Sequence, residues 1–317
     1  MFKSVLKKFV LICVSFFICL IFLFSFFFIS GCSKKNDKKL GDKLNVVVTN
    51  FPIYDFVRGI SSNCDESCLN LKMIIPPGMD SHSFEPTPAD IQFIENCDLL
   101  VYVGGLEDLW LEKLLKSIDE SKKEKIRILN LFDCLGFNDN RGLVDYHVWT
   151  GLSNSIKIVE FITNCLTSID VKNTAFYDLN SKKYVEKLNN LKNKFEQVVG
   201  NGKRKFLVVA DKFPFKYFAD EFGLEIKTPF LNCSSKSESS MAEIEKLINF
   251  VKSTCVPLIL KIDGGSGEIA KAVAEETGVK TATFYVCHTI SKEDFNLKKT
   301  YLHFLEHNLK ILKEALS

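Results

Sequence analysis

A chain of 317 residues exceeds one typical core, so two units of roughly 100–150 residues each are expected. A hydrophobic fraction of 46% suits globular folding, and a formal net charge of +2 offers no basic surface for nucleic acid. None of the eleven cysteines falls in the CxxC spacing of a structural zinc knuckle.

The first thirty residues read as an export signal: Lys3, Lys7 and Lys8 precede a Phe-rich apolar run from Phe9 to Ile29. That run is also long enough for an uncleaved membrane span. The segment ISGC, ending at Cys32, favours the other reading, because it looks like a bacterial lipobox in which cleavage before the cysteine precedes attachment of a diacylglycerol. Residues 1–31 are then the signal peptide and residues 32–43, Lys-rich and polar, a flexible tether. Losing the signal removes three lysines and no acids, which leaves 38 basic against 39 acidic residues. Eight cysteines follow the anchor; Cys64 and Cys68 are spaced to close a small loop, with free buried thiols as the alternative.

Beyond the tether, short apolar or β-branched runs alternate with helix-length amphipathic segments. LNVVVT, LKMII, LLVYV and IRILN lie in the first half, and KFLVVA, PLILKI and TATFYV in the second. This alternation predicts an α/β fold of two parallel-sheet lobes, residues 44–172 and 201–317. Between them Phe176, Leu179, Tyr184, Leu188, Leu191, Phe195 and Val198 recur at helical spacing. The stripe predicts a linking helix over 173–200, about 40 Å long, stopped by Gly200 and Gly202, and a helix of that length restricts hinge motion.

Three histidines stand at chemically suggestive places. His82 lies in PPGMDSHSFEPTPAD, where four prolines limit the loop and Thr87 with Asp90 reads as a capping box. The loop follows LKMII, and open α/β sheets bind ligands beyond the carboxyl ends of their strands. His147, in VDYHVWTGLSNS, has aromatic neighbours and Asp145 as a hydrogen-bond acceptor, ahead of a helix from about 154 to 168. His288 emerges at the end of TATFYV. His303 and His307, at i, i+4 on the terminal helix, have a spacing that can bind zinc but lack a neighbouring strand-end ligand, and read as a solvated face.

The segments VVVTNFPIYDFVRGI, PPGMDSHSFEPTPADIQFIENCDLLVYVGGLEDLW and DYHVW resemble the zinc and manganese substrate-binding lipoproteins of metal ABC importers, the cluster A-I type, over residues 44–317. The resemblance implies two α/β lobes bridged by a long rigid helix, with a divalent ion in the cleft and His82 and His147 as first-lobe ligands. It also implies a permease and an ATPase as partners, attachment to the outer membrane face through a lipid, and a monomer without catalysis. The second lobe departs from the family pattern. VVADKFPFKYFADEFGLE has no histidine where one is usual, and His288 stands where an aspartate is common.

The rearranged set implied is His288 with Asp211, and Asp263 and Glu238 as weaker oxygen donors. Three imidazoles with a carboxylate or water suit tetrahedral zinc, whereas manganese takes a larger share of oxygen. Cys233 and Cys287 could add a thiolate, pair with each other, or simply be buried. Lys212, if turned into the cleft, would repel a cation; turned outward it is a solvated charge. No metal-collecting His- or acid-rich tract lies between Phe132 and Asp145. Rival functions are a carrier of a metal chelate or small organic ligand, a surface zinc hydrolase, and an adhesion lipoprotein without transport. No HExxH, GxSxG or phosphate loop supports the hydrolase.

Overall fold

The computed structural model describes residues 43–62, 68–79, 81, 84–105, 108–137, 145–230 and 239–317. The signal, Cys32, the tether up to residue 42, Cys64, His82, Cys233 and Glu238 lie outside the described residues.

Strands β1 (Leu44–Val48), β2 (Leu69–Met73), β3 (Leu99–Tyr102) and β4 (Arg127–Asn130) form a parallel sheet in the order β2-β1-β3-β4. Both faces of its centre are covered. Val46 and Val48 join the main core, while Val47 and Leu100 point the other way, into a second cluster with Ile94 and Leu111. Burial on both sides is why these strands read as continuous apolar runs and not as alternating ones. Helix α1 (Phe51–Ile60) covers one face, and α2 (Pro88–Glu95) and α3 (Leu109–Ser117) the other. The Thr87 and Asp90 side chains close the expected capping box at the start of α2.

After α4 (Leu152–Ile169) comes the linking helix α5, Thr174–Asn201. Its 28 residues make it about 42 Å long at 1.5 Å per residue. It passes through Gly200, an affordable loss of helix propensity in a last turn, and stops at Gly202, whose N–H caps the Val199 carbonyl at 3.2 Å.

The second lobe pairs β5 (Phe206–Val208) with β6 (Glu225–Lys227) and β7 (Leu258–Ile262) with β8 (Lys280–Phe284), all in parallel. A bridge from Val209 to Leu260 sets the pairs side by side. Helices α6 (Lys216–Phe222), α7 (Met241–Thr254), α8 (Glu268–Thr277) and α9 (Tyr301–Ala315) complete the lobe. Strand β6 was not among the sequence expectations; at three residues it is too short to carry a periodic signal.

The lobes share one core. A single apolar cluster runs from Val46 through Leu188 and Phe195 of α5 to Leu260 and Phe284. Buried Asp55 of α1 accepts the Tyr184 hydroxyl of α5 (2.9 Å) and the Tyr301 N–H of α9 (2.8 Å), and it also holds Arg58. Gly59 leaves room for this seam, since a β-carbon there would meet the Tyr184 ring at 2.5 Å. Separating the lobes would expose these groups, so the linking helix acts as a strut. Cys68 and Cys287 are free thiols. Of the two histidines read as a solvated face, His303 is exposed, whereas His307 is half-buried with its Nε2 3.3 Å from the Thr283 carbonyl. Among the described residues no helix is long and apolar enough to cross a membrane.

Candidate metal site between the lobes

The first-lobe imidazole is fixed before any ligand arrives. Asp145 Oδ1 accepts the His147 backbone N–H at 2.9 Å and lies 2.6 Å from His147 Nδ1. A carboxylate only accepts, so Nδ1 carries the proton, and in the neutral ring Nε2 is the nitrogen of the kind that coordinates a metal. The side chain is buried, edge-on to Trp149 with ring centres 5.3 Å apart. The acceptor that the sequence suggested for His147 is therefore the one it has.

Asp145 also reaches into the second lobe. Its Oδ2 accepts the Lys216 N–H (3.2 Å) and its carbonyl the Tyr217 hydroxyl (2.7 Å), both at the start of α6. Glu221, near the other end of α6, accepts the Ser153 N–H and hydroxyl, and Lys192 of α5 lies 3.2 Å from it. The helix is thus clasped to the first lobe at both ends. Sequence reading missed the clasp, because Glu221 and Ser153 carry no local motif.

His288 is placed from the second-lobe side. Asp263, in the loop after β7, accepts the N–H of Val286 (2.5 Å) and of Cys287 (3.3 Å). Cys287 adopts a left-handed φ of 65°, unusual for a side-chain-bearing residue, and is buried. The Val286 carbonyl accepts the Trp149 indole N–H at 2.9 Å, which ties this loop to the residue two beyond His147. Burial pushes the Asp263 carboxyl up, against the pull of the Val286 N–H and the His288 charge. Asp263, weighed from sequence as a weak oxygen donor, works here as the frame of the His288 loop.

The two imidazoles meet across the lobes with ring centres 5.9 Å apart. Two imidazoles on one tetrahedral zinc, at about 2.0–2.1 Å per bond, have centres about 5 Å apart, close to the separation here. His82 lies outside the described residues, but the chain leading to it is tied to the His288 loop. The Gly78 N–H donates to Ile290 O (2.7 Å) and the Thr289 hydroxyl to Met79 O (3.0 Å).

Asp211 stands apart. Its Oδ1 accepts the Lys212 N–H at 2.8 Å, while Oδ2 is buried against Gly265, where a β-carbon would collide with it, and makes no hydrogen bond of ordinary geometry. Burial raises its pKa, with the Lys212 N–H opposing. Lys212 is half-buried beside it. Among the described residues no three His, Cys, Asp or Glu side chains gather closely enough to hold a metal: the structure unites His147 and His288 and leaves Asp211 outside the pair.

Two α/β lobes on a linking helix, with an imidazole pair facing across them, have the architecture of a binding protein. Comparison with known proteins gives the family. Residues 46–315 match the family described as zinc-uptake complex component A, periplasmic, and the chain belongs to it. It is 27% identical over 300 residues to the zinc-binding lipoprotein AdcA of Streptococcus pneumoniae, an alignment covering 91% of this chain but 58% of that protein's length. It is 27% identical over 309 residues to the manganese ABC transporter substrate-binding lipoprotein PsaA of the same species, covering 94% of this chain and 97% of that one. A crystal structure of the metal-dependent lipoprotein YcdH from Bacillus subtilis superposes with a TM-score of 0.74 at 28% identity, covering 86% of this chain and 99% of that one. The family consists of uptake-system binding components, and such components of ABC importers work with a permease and an ATPase.

Proposed function

We propose that this chain captures a divalent cation, zinc in the first place, outside the cytoplasmic membrane and hands it to an ABC permease driven by its ATPase. The imidazoles of His82, His147 and His288 are the donors, and Asp211 or water takes the fourth position. The signal is cleaved, and the protein is held at the membrane as a monomer through lipid on Cys32. It performs no bond chemistry.

The reading is carried by the pair His147 and His288, 5.9 Å apart between ring centres, with Nδ1 of His147 bound to Asp145. Nitrogen-rich coordination favours zinc, and AdcA is named for zinc, whereas PsaA is named for manganese. The test is metal analysis of purified protein, stripped and then reconstituted with equimolar zinc and manganese. One zinc per chain retained through dialysis is expected. Retention of manganese instead would reassign the cargo, and retention of neither would overturn capture.

A further inference from the structure

The first lobe carries a second concavity of about 500 Å³, a volume typical of small-molecule sites. Its floor is the amino-terminal part of β1 and β2, where Asn45 pairs in register with Asn70 and Val47 with Lys72. Its wall is one face of α2 and its cap: Ala89, Gln92, Phe93 and Asn96, spaced i, i+3, i+4, i+7. Helix α2 covers the centre of the sheet through Ile94 and leaves this edge open, so Phe93 remains 46% exposed.

The lining is almost neutral and unusually rich in primary amides. Asn70 Nδ2 donates to Asn45 Oδ1 (3.0 Å) and Asn96 Nδ2 to the Gln92 carbonyl (2.8 Å). Those bonds leave Asn45 Nδ2, Asn70 Oδ1, Asn96 Oδ1 and the Gln92 amide with hydrogen-bonding capacity among the residues that line the groove. The one cation, Lys72, is engaged by the Phe93 ring (5.1 Å) and by Asp90 (3.8 Å), so an anion finds little attraction. Planar amides offering paired donor and acceptor atoms, beside the exposed Phe93 side chain, one face of whose ring Lys72 covers, match vicinal hydroxyls and the apolar face of a pyranose ring.

We propose that this groove binds a neutral saccharide of one to three rings. The site lies at the amino ends of the strands, whereas the imidazole pair is reached from their carboxyl-end loops, so sugar and metal occupy separate places. Saturation-transfer NMR of the whole protein with chitobiose, cellobiose, maltose and lactose at millimolar concentration tests it. At least one sugar should show ring-proton transfer; Phe93→Ala should weaken its binding up to about tenfold and Asn70→Ala comparably, with zinc stoichiometry unchanged. Absence of transfer from all four sugars, or transfer that survives both substitutions, would overturn the proposal. Because zinc is counted separately, failure here leaves metal capture standing.

Discussion

The two lobes prepare their halves of the site differently. In the first, His147 is buried and its tautomer is set by Asp145, two residues away, so orientation is built into the local chain. In the second, His288 sits half-buried on a loop whose backbone is held by a carboxylate from another strand end, Asp263, and by Trp149 of the opposite lobe. One imidazole is oriented by a sequence neighbour and the other by tertiary contact.

Removing either imidazole should break the comparison most severely. His147→Ala and His288→Ala should each lower zinc affinity by more than about a hundredfold, beyond the 10- to 100-fold usual for an outer partner. Competition with a chromophoric chelator measures it, and a loss confined to one lobe would show that the lobes do not share an ion. Acid comes next. Coordination requires neutral imidazoles, so affinity should fall by up to about tenfold per participating imidazole for each pH unit as acid protonates them, and a titration flat from neutral to pH 5 would contradict imidazole ligation.

Asp145→Asn probes the His147 orientation together with the Lys216 contact of the α6 clasp. An amide can offer Nδ1 an N–H and favour the wrong tautomer, so zinc affinity should drop about 10- to 100-fold while the metal-free protein stays folded by circular dichroism. The smallest effect belongs to Asp211→Asn, with zinc binding reduced only a few-fold. Because burial raises the Asp211 pKa, the folded state holds its proton more tightly than the unfolded chain, so this group's contribution to stability declines as pH rises from the unfolded value through the folded one. The amide removes that decline, so the metal-free variant should melt higher than the parent at neutral pH and equally at pH 3.

Much of this was legible in the sequence because the signals are local. Strand runs buried on both faces, the Thr87–Asp90 capping box, the helical stripe of α5 and the Asp145–His147 pair all lie within a few turns of chain. What failed to show is what distance in sequence conceals. The Asp263 frame of the His288 loop joins residues 23 and 24 positions apart, and the Glu221–Ser153 clasp spans 68. The packing of the Asp211 carboxylate against Gly265 is likewise a contact between residues distant in sequence.

The central claim is that one cation is shared by imidazoles of both lobes. A crystal structure of zinc-loaded protein with anomalous scattering recorded on both sides of the zinc edge tests it most directly. A single peak within about 2.0–2.1 Å of His147 Nε2 and of a ring nitrogen of His288 is the expected result. A zinc bound to one of these histidines without the other, or seated elsewhere, would contradict it.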